Sequence, residues 1–247
     1  MNATTTTTRV LRKKSLYFLD SLSLEINYSD KTKKDHTFDA QDIFLATGVA
    51  RTIRKVQPKE TIFSQGDACE DVMYIQEGEV KLSVVSSTGK EGVVAILKSG
   101  DFIGEGALAG QLEYGETASA LTRTILFVIN RKQMLQALRA EHAFSDHFIM
   151  YILERNNRIK EDLIDQLFNC CEKRLARILL LLAGYGTLDK SRWVLLNVSQ
   201  EILAGMVGTT RSRVNFFLNK FKRLGFIGYN GGLQVNDSLL SIVTSDR

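Results

Sequence analysis

Polar and basic side chains cluster at the start of a predicted helix close to the C-terminus. Apolar residues recur there at helical spacing, at Val214, Phe217, Leu218, Phe221 and Leu224. This spacing leaves Arg211, Ser212 and Asn215 together at the N-terminal end, where backbone N–H groups carry partial positive charge. Guanidinium and N–H donors suit phosphate, and an asparagine amide can read adenine through two hydrogen bonds. The arrangement favours a helix that enters the major groove of DNA over a merely solvated basic face.

The preceding sequence predicts the elements that would position this helix. Ser199 can cap a short helix over Gln200–Val207, and Gly208 supplies a turn. Thr210 can then cap the second helix, Arg211–Leu224. Two short helices separated by a glycine turn are typical of a helix-turn-helix.

A hairpin signal follows the second helix. Ile227–Tyr229 and Leu233–Val235 are short apolar runs, and Asn230-Gly231-Gly232 between them supplies the positive φ values of a tight turn. Helix, turn, helix and hairpin together predict a winged helix-turn-helix. The side chains predicted to contact DNA are Ser199, Gln200, Thr209, Thr210, Arg211, Ser212, Arg213, Asn215, Phe216 and Lys220.

The charge distribution agrees with this prediction. The 247-residue chain has a net charge of only +4, with 32 Lys and Arg against 28 Asp and Glu. Residues 171–247, however, hold 11 basic and 5 acidic side chains, whereas residues 1–170 hold 21 and 23. The excess positive charge therefore lies on the segment that is predicted to meet phosphates.

The middle of the chain has a different pattern. Short apolar runs are interrupted by glycines between about Ile53 and Ile129. The runs that read as strands are Val72–Ile75, Val80–Val85, Val93–Leu97 and Ile125–Ile129. Many short strands at nearly regular spacing predict a β-barrel or sandwich.

A long helix is predicted after the strands. No Gly or Pro occurs between Arg131 and Leu182, and apolar residues recur at helical spacing over about Ala143–Asn169. A helix of this length with one apolar stripe favours a coiled-coil-like dimer seam. The alternative is that the helix packs on its own barrel.

Composition excludes several classes of protein. The longest purely apolar run has six residues, against the ~20 that a membrane helix needs. The polar, Thr-rich N-terminus lacks the apolar core of a signal peptide, so we expect a cytoplasmic protein with a mobile arm over residues 1–40. No membrane partner is predicted.

Neither metal binding nor catalysis is indicated. The three Cys and three His residues lack metal-ligand spacing, and no cofactor is predicted. Adjacent Cys170 and Cys171 could sense oxidation, but nothing basic at a helix N-terminus is seen to activate them. The chain also lacks a Ser-His-Asp spacing, paired carboxylates and a phosphate-binding loop, so we predict no catalytic residues and no enzyme.

Longer motifs occur in order in both halves of the chain. The first half contains FSQGD at 63–67, MYIQEGEVK at 73–81 and GDFIGE at 100–105. The second half contains EKRLAR at 172–177 and LAGMVGTTRSRV at 203–214. Over residues of about 50–240, this sequence resembles the Crp/Fnr family of bacterial transcription regulators.

The resemblance implies an α+β protein: an N-terminal double-stranded β-helix (β-roll), a long dimerisation helix and a C-terminal winged helix-turn-helix. The implied boundaries are 1–40 for the arm, 41–142 for a cyclic-nucleotide-binding-like effector domain, 143–170 for the dimerisation helix and 171–247 for the DNA-binding domain. It also implies a homodimer on two-fold promoter DNA, with RNA polymerase as a further partner.

The effector pocket departs from the family pattern. Matching positions are Gly104, Glu105, Gly106 and Ala107, which would bind phosphate and ribose, together with Thr117 and Ser119. The stretch where the family has a phosphate-binding arginine contains two acids and no Arg, at residues 113–119. Because carboxylates repel a phosphodiester, we expect no tight binding of cAMP or cGMP. The effector stays open: none at all, a non-nucleotide ligand or modification of the arm.

The predicted DNA-reading helix departs as well. Relatives that read a G-A step usually have Glu after the first Arg and a second Arg four residues on, where this chain has Ser212 and Phe216. Asn215 could read adenine and Phe216 could touch a thymine methyl, so a different half-site is expected. The leading hypothesis is a dimeric, sequence-specific transcription regulator. The alternative is a ligand-binding regulatory subunit that acts through protein contacts.

Overall fold

The structure is a computed structural model that describes residues 50–184, 193–196 and 198–244. The predicted arm, residues 1–40, lies outside the described residues. The described chain forms two compact units. The β-rich unit contains residues 50–168 and 201–210. The helical unit contains the other described residues, which are 169–184, 193–196, 198–200 and 211–244.

Eight strands make up the β-rich unit before its helices begin. They are β1 (Thr52–Val56), β2 (Thr61–Phe63), β3 (Asp71–Glu77), β4 (Glu79–Val85), β5 (Glu91–Lys98), β6 (Phe102–Ile103), β7 (Thr117–Ala120) and β8 (Thr124–Asn130). A short 3₁₀ turn, Glu105–Ala107, follows β6. The strands pair antiparallel in two four-stranded sheets, in the orders β1-β8-β3-β6 and β2-β7-β4-β5.

The core of this unit lies between the two sheets. In one sheet Val72 of β3 faces Ile129 of β8 in register, and in the other Leu82 of β4 faces Ala118 of β7. All four side chains are fully buried. Their alternation with more exposed neighbours reflects the two-residue period of a strand, which places apolar groups on one face.

Two helices follow the sheets. Helix α1 spans Arg131–Ala140 and begins where the Asn130 side chain accepts a hydrogen bond from the Lys132 N–H. Helix α2 spans His142–Phe168, and its first two turns bury Phe144 and Phe148. These aromatic rings attach the start of α2 to the sheets, since Phe148 packs edge-on against Phe102 of β6 at 5.2 Å.

The C-terminal elements run from α3 to α6. They are α3 (Cys171–Leu182), β9 (Trp193–Leu196), α4 (Gln200–Val207), α5 (Arg211–Arg223), β10 (Ile227–Tyr229), β11 (Leu233–Asn236) and α6 (Leu240–Thr244). Strands β10, β11 and β9 form an antiparallel sheet in that order. Most of α4 groups with the β-rich unit, and the other elements form the helical unit.

The predicted fold class is confirmed. Helix α3 begins at Cys171, and its first turn carries acidic Glu172, which suits a helix N-terminus. The sequence analysis did not single out the helices α1 and α6 or the strands β1, β2, β6, β7 and β9. Within the described residues, none of the helices combines the length and apolar character that crossing a bilayer requires.

Candidate nucleic-acid interface and effector pocket

Helix α5 is held by one apolar face. Val214 and Phe221 are completely buried, and Leu218 is nearly so. The turn before the helix contains Gly208, whose φ of 69° lies in the left-handed region that glycine adopts without steric cost. The Phe226 N–H donates to the Phe221 carbonyl and ends the helix. The local sequence therefore fixes both where α5 begins and which side it presents.

The opposite face of α5 is exposed and polar. Its exposed side chains are Arg211, Ser212, Arg213, Asn215, Phe216 and Asn219. Asn219 Nδ2 donates to Asn215 Oδ1 at 3.4 Å, one helical turn away. Phe216 is 60% exposed although it is aromatic, and its ring lies edge-on to Phe217. This face combines hydrogen-bond donors, acceptors and one apolar surface, which are the groups that read base edges.

The other predicted DNA contacts lie at the ends of α4. Ser199 and Gln200 stand at its start, and Thr209 and Thr210 occupy the turn between α4 and α5. Ser199 and Thr210 are exposed, whereas Gln200 and Thr209 are half-buried. The predicted contacts therefore belong to three consecutive segments of the chain: the start of α4, the turn after it, and α5.

A cation of α5 lies against the hairpin that follows the helix. Lys222 Nζ lies 5.5 Å from the ring centre of Tyr229 in β10. Because an ammonium group is attracted to an aromatic face, this contact links the last turn of α5 to the first strand of the hairpin. The sequence analysis did not predict this contact.

Lys220 has a partner that the sequence analysis missed. Its Nζ donates a hydrogen bond to Glu172 Oε2 at 2.9 Å and lies 2.7 Å from Oε1, so that the two side chains form an ion pair. Sequence analysis grouped Lys220 with the phosphate contacts, but in the structure its ammonium is bound within the helical unit. A separation of 48 residues hides such a pair from any local pattern.

The candidate effector pocket is built around the turn after β6. Gly104 has a φ of 75°, and a Cβ at this position would lie 2.7 Å from the Asp71 carbonyl oxygen. Only glycine therefore fits there. The Tyr114 hydroxyl donates to the same carbonyl at 3.1 Å, and its ring stacks on Phe63 at 3.7 Å.

An arginine from α2 reaches this turn. Arg155 Nη1 lies 2.9 Å from Glu105 Oε1 and donates to the Phe102 carbonyl at 3.1 Å. The Tyr151 hydroxyl, one turn earlier on α2, donates to the same carbonyl and accepts from the Phe102 N–H. Burial raises the pKa of Tyr151 to about 12. Burial alone would lower the pKa of Arg155, but Glu105 and Tyr151 outweigh it and raise that pKa.

Glu116 lies in the stretch where the family has its phosphate-binding arginine. Burial is the largest cause that raises the pKa of its carboxyl; Arg155 acts in the opposite direction, and Glu105 adds to the rise. The pocket thus brings two carboxylates into the field of one guanidinium. Such an arrangement is electrostatically unsuited to a phosphodiester.

Other predicted pocket groups are engaged by the protein itself. The Thr117 hydroxyl accepts a hydrogen bond from the Gln65 N–H at 3.0 Å. The side-chain amide of Gln111 lies over Gly106, where a Cβ would stand. Ala107 is fully buried, and Ser119 lies in β7 opposite Lys81 of β4. The residues predicted to bind a ligand are therefore in contact with other parts of the protein itself.

An open cavity of about 630 Å³ lies beside this turn. Gln65, Val85, Glu113, Tyr114 and Thr117 are among its lining residues. Of the predicted pocket residues, only Thr117 lines it, whereas the 104–107 turn and Ser119 do not. Glu113 gives the cavity an acidic side chain.

The structure corrects one expectation about the cysteines. Cys171 is the first residue of α3, and Arg174 Nη2 lies 3.3 Å from its Sγ. A basic group at a helix N-terminus is therefore present, contrary to the sequence analysis. Cys69, by contrast, is buried, and burial raises the pKa of its thiol. No group of three or more His, Cys, Asp or Glu residues that could hold a metal ion occurs within the described ranges.

Comparison with known families agrees with both parts of this geometry. A model described as "Cyclic nucleotide-binding domain" matches residues 53–141, and one described as "Crp-like helix-turn-helix domain" matches residues 173–238. The chain belongs to the Crp/Fnr family. It is a transcriptional regulator of this type, with a helix-turn-helix domain.

Individual relatives are distant but match along most of their length. The chain is 24% identical to the "CRP-like cAMP-activated global transcriptional regulator" of Mycobacterium tuberculosis, over 78% of this chain and 89% of that protein. It is 22% identical to the "Anaerobic regulatory protein" of Bacillus subtilis, over 82% of this chain and 86% of that protein.

Solved structures show the same fold. FixK2 from Bradyrhizobium japonicum matches with a TM-score of 0.69 at 17% identity, over 81% of this chain and all of that one. The c-di-GMP-responsive regulator CLP of Xanthomonas campestris matches with a TM-score of 0.66 at 22% identity, over 80% and 99%.

Proposed function

We propose that this regulator is a dimer that binds a two-fold symmetric promoter site by placing α5 in the major groove. The observation that carries the proposal is the exposed face of α5, on which Arg211, Ser212 and Asn215 stand at the N-terminal end of a helix whose other face is buried. Recognition helices of this class contact base edges with their N-terminal residues. The proposed DNA-binding domain spans 171–247.

Base reading falls to three residues in this proposal. Arg211 contacts phosphate or guanine, and Asn215 reads adenine through its amide. The Asn219 amide bonds Asn215 Oδ1 and so leaves the Asn215 Nδ2 to donate. Phe216, exposed on the same face, supplies an apolar contact for a thymine methyl.

The dimer forms through α2. Beyond its first turns this helix exposes large apolar side chains, namely Ile149, Met150, Leu153, Ile159, Leu163, Ile164, Leu167 and Phe168. Large exposed apolar patches mark interaction sites, and a second copy of α2 would cover this one. The proposed occupant is the partner chain, over residues 143–170. Two α5 helices would then meet half-sites about one helical turn, ~34 Å, apart.

The regulator is proposed to work without cAMP. The carboxylates of Glu105 and Glu116 lie in one pocket with a single arginine, which Glu105 already binds. A cyclic nucleotide phosphate placed there would meet more negative than positive charge. Residues 41–142 are the proposed effector domain, in which the ligand, if one acts, is of a different class.

A mobility-shift experiment tests the proposal directly. Purified full-length protein is titrated against promoter DNA at two salt concentrations, without nucleotide and with cAMP. If the protein is a DNA-binding regulator, the duplex is retarded, and it is retarded less at higher salt. The shift is the same with and without cAMP. Absence of a shift at low salt would support the alternative, a regulatory subunit that acts through protein contacts.

A further inference from the structure

We infer that Glu172 is a positioning residue for DNA recognition, and that it acts by holding Lys220 and with it the orientation of α5. The inference rests on the proposed function, because it concerns how α5 is presented to DNA. It also gives Lys220 a role different from a phosphate contact. The evidence is an ion pair between α3 and α5 within the helical unit.

The ion pair joins opposite ends of two helices. Glu172 lies in the first turn of α3, and Lys220 lies in the last turn of α5. A carboxylate at a helix N-terminus and an ammonium at a helix C-terminus are each stabilised by the helix dipole. Both side chains are partly shielded from solvent, with 20% of the Glu172 side chain and 40% of the Lys220 side chain exposed.

The position of Lys220 on α5 explains why the ion pair controls the orientation of this helix. Lys220 is half-buried and lies off the buried face that Val214, Leu218 and Phe221 form. The apolar contacts of Val214 and Leu218 are not directional, so they tolerate a small rotation of the helix about its axis. The charge-assisted bond of Lys220 to Glu172 ties one point on the circumference of α5 to α3 and so restricts that rotation. The amide of Asn215 must be correctly placed to bond adenine twice, so this rotation matters for specificity.

The same pair makes a phosphate contact by Lys220 unfavourable. The ammonium donates a hydrogen bond to Glu172 Oε2 at 2.9 Å and lies 2.7 Å from Oε1. To neutralise a phosphate, Lys220 would have to leave Glu172, whose carboxylate would then stand unpaired near the DNA. As a pair the two groups are neutral and release no counterions.

The two roles of Lys220 predict different responses to mutation. Binding is measured by fluorescence anisotropy over a range of salt concentrations, on a duplex selected by the wild-type protein and on a scrambled duplex. The variants are Glu172→Gln, Lys220→Gln and the charge exchange Glu172→Lys with Lys220→Glu. Lys81→Gln is the matched control, because it breaks the 2.7 Å pair Lys81–Glu91 in the β-rich unit.

A positioning role has a distinct signature. Glu172→Gln weakens specific binding about tenfold but leaves scrambled DNA bound at least as well as before, since no cation is lost. Lys220→Gln weakens specific binding similarly and keeps the wild-type salt slope. The exchanged pair binds the specific duplex more tightly than either single variant. Lys81→Gln changes the affinity for either duplex by no more than about twofold.

Other results overturn the inference. If Lys220→Gln reduces the salt slope by about 0.9 while Glu172→Gln binds like wild type, Lys220 contacts phosphate. If the exchanged pair binds no better than the single variants, the pair does not set the orientation. Circular dichroism and thermal melting confirm that each variant is folded. If the wild type itself shows no salt-sensitive binding, the proposed function fails, and this outcome is distinct from all the others.

Discussion

Arg155 Nη1 lies 2.9 Å from Glu105 Oε1 and connects the long helix α2 to the turn after β6, 50 residues earlier in the chain. Only 15% of the arginine side chain and 25% of the glutamate side chain are exposed. Glu105 is the residue that the family resemblance assigns to a ligand ribose. In this protein its carboxylate is bound by the chain's own guanidinium, which explains why the pocket and α2 form one network.

Removing Arg155 should destabilise the β-rich unit. Arg155→Met leaves Glu105 shielded without its cation and also removes the bond to the Phe102 carbonyl. Breaking a largely buried pair from one side costs about 3 kcal/mol in the free energy of unfolding. Urea unfolding measures this loss. The control is Arg158→Met, whose exposed side chain on the same helix should matter by less than about 0.5 kcal/mol. Equal losses in the two variants would contradict the role of the pair.

Exchanging one carboxylate for a guanidinium should create affinity for a nucleotide. We expect the wild-type protein to bind no cAMP at micromolar concentrations, and Glu116→Arg to bind measurably, because it removes one repulsive charge and adds a phosphate partner. Isothermal titration calorimetry makes the comparison. Glu113→Arg, in the neighbouring cavity, is the charge-matched control and should gain little. Tight cAMP binding by the wild type would show that the pocket argument is wrong.

The raised pKa of Glu116 predicts a pH dependence of stability. Burial favours its protonated form in the folded state, so the folded protein binds more protons than the unfolded chain above the ordinary value of 4.5. The contribution of Glu116 to stability is therefore largest at low pH and falls as the pH rises from 4.5 through the raised value. Glu116→Gln lacks this change. Urea unfolding measures the free energy of unfolding at each pH, and that of the variant should rise relative to that of the wild type between about pH 4 and pH 7. If the two free energies depend on pH in the same way, the pKa of Glu116 is not raised.

An acidic substitution in the exposed face of α2 should separate the dimer. Leu167 is 66% exposed in the single chain, and Leu167→Asp would place a charge in the proposed apolar seam. Sedimentation velocity should show the dimer dissociation constant raised at least about tenfold. Arg158→Gln changes the charge by the same amount at an exposed position on the other side of the helix, nine residues from Leu167, and serves as the control. A wild-type protein that stays monomeric at high concentration would overturn the dimer proposal.

Substitutions on α5 should separate specificity from affinity. Asn215→Ala relaxes the preference at one base step and leaves binding to other steps intact, because the lost amide reads a base edge. Arg211→Ala weakens binding to specific sites more than binding to other DNA. Selection from random sequence with each variant measures both effects. An unchanged motif for Asn215→Ala would show that its amide reads no base.

Local sequence patterns were sufficient for the elements that carry the interface. The three- and four-residue spacing around Val214 located α5 to within one residue at its end, and α4 spans the predicted Gln200–Val207. The buried face of a helix follows from periodicity alone. For the same reason the exposed residues of α5, including Asn215 and Phe216, could be named before the structure was known.

Pairs distant in sequence could not be predicted in this way. Arg155 with Glu105 and Lys220 with Glu172 are separated by about 50 residues each, and their contact depends on how helices pack, not on a local repeat. The Tyr151–Arg155 spacing of four residues was the one local hint, since it places both side chains on one side of α2. Sequence analysis placed Lys220 among the DNA contacts because it is a cation of the predicted reading helix. A local pattern does not show that its ammonium already binds Glu172.

Selection of bound duplexes from a random pool by the purified wild-type protein, without any nucleotide, tests the central claim most directly. The account predicts enrichment of a two-fold symmetric sequence whose half-sites lie about one helical turn apart and differ from those of relatives with Glu and Arg at positions 212 and 216. Recovery of no enriched sequence, or enrichment only when cAMP is added, would contradict it.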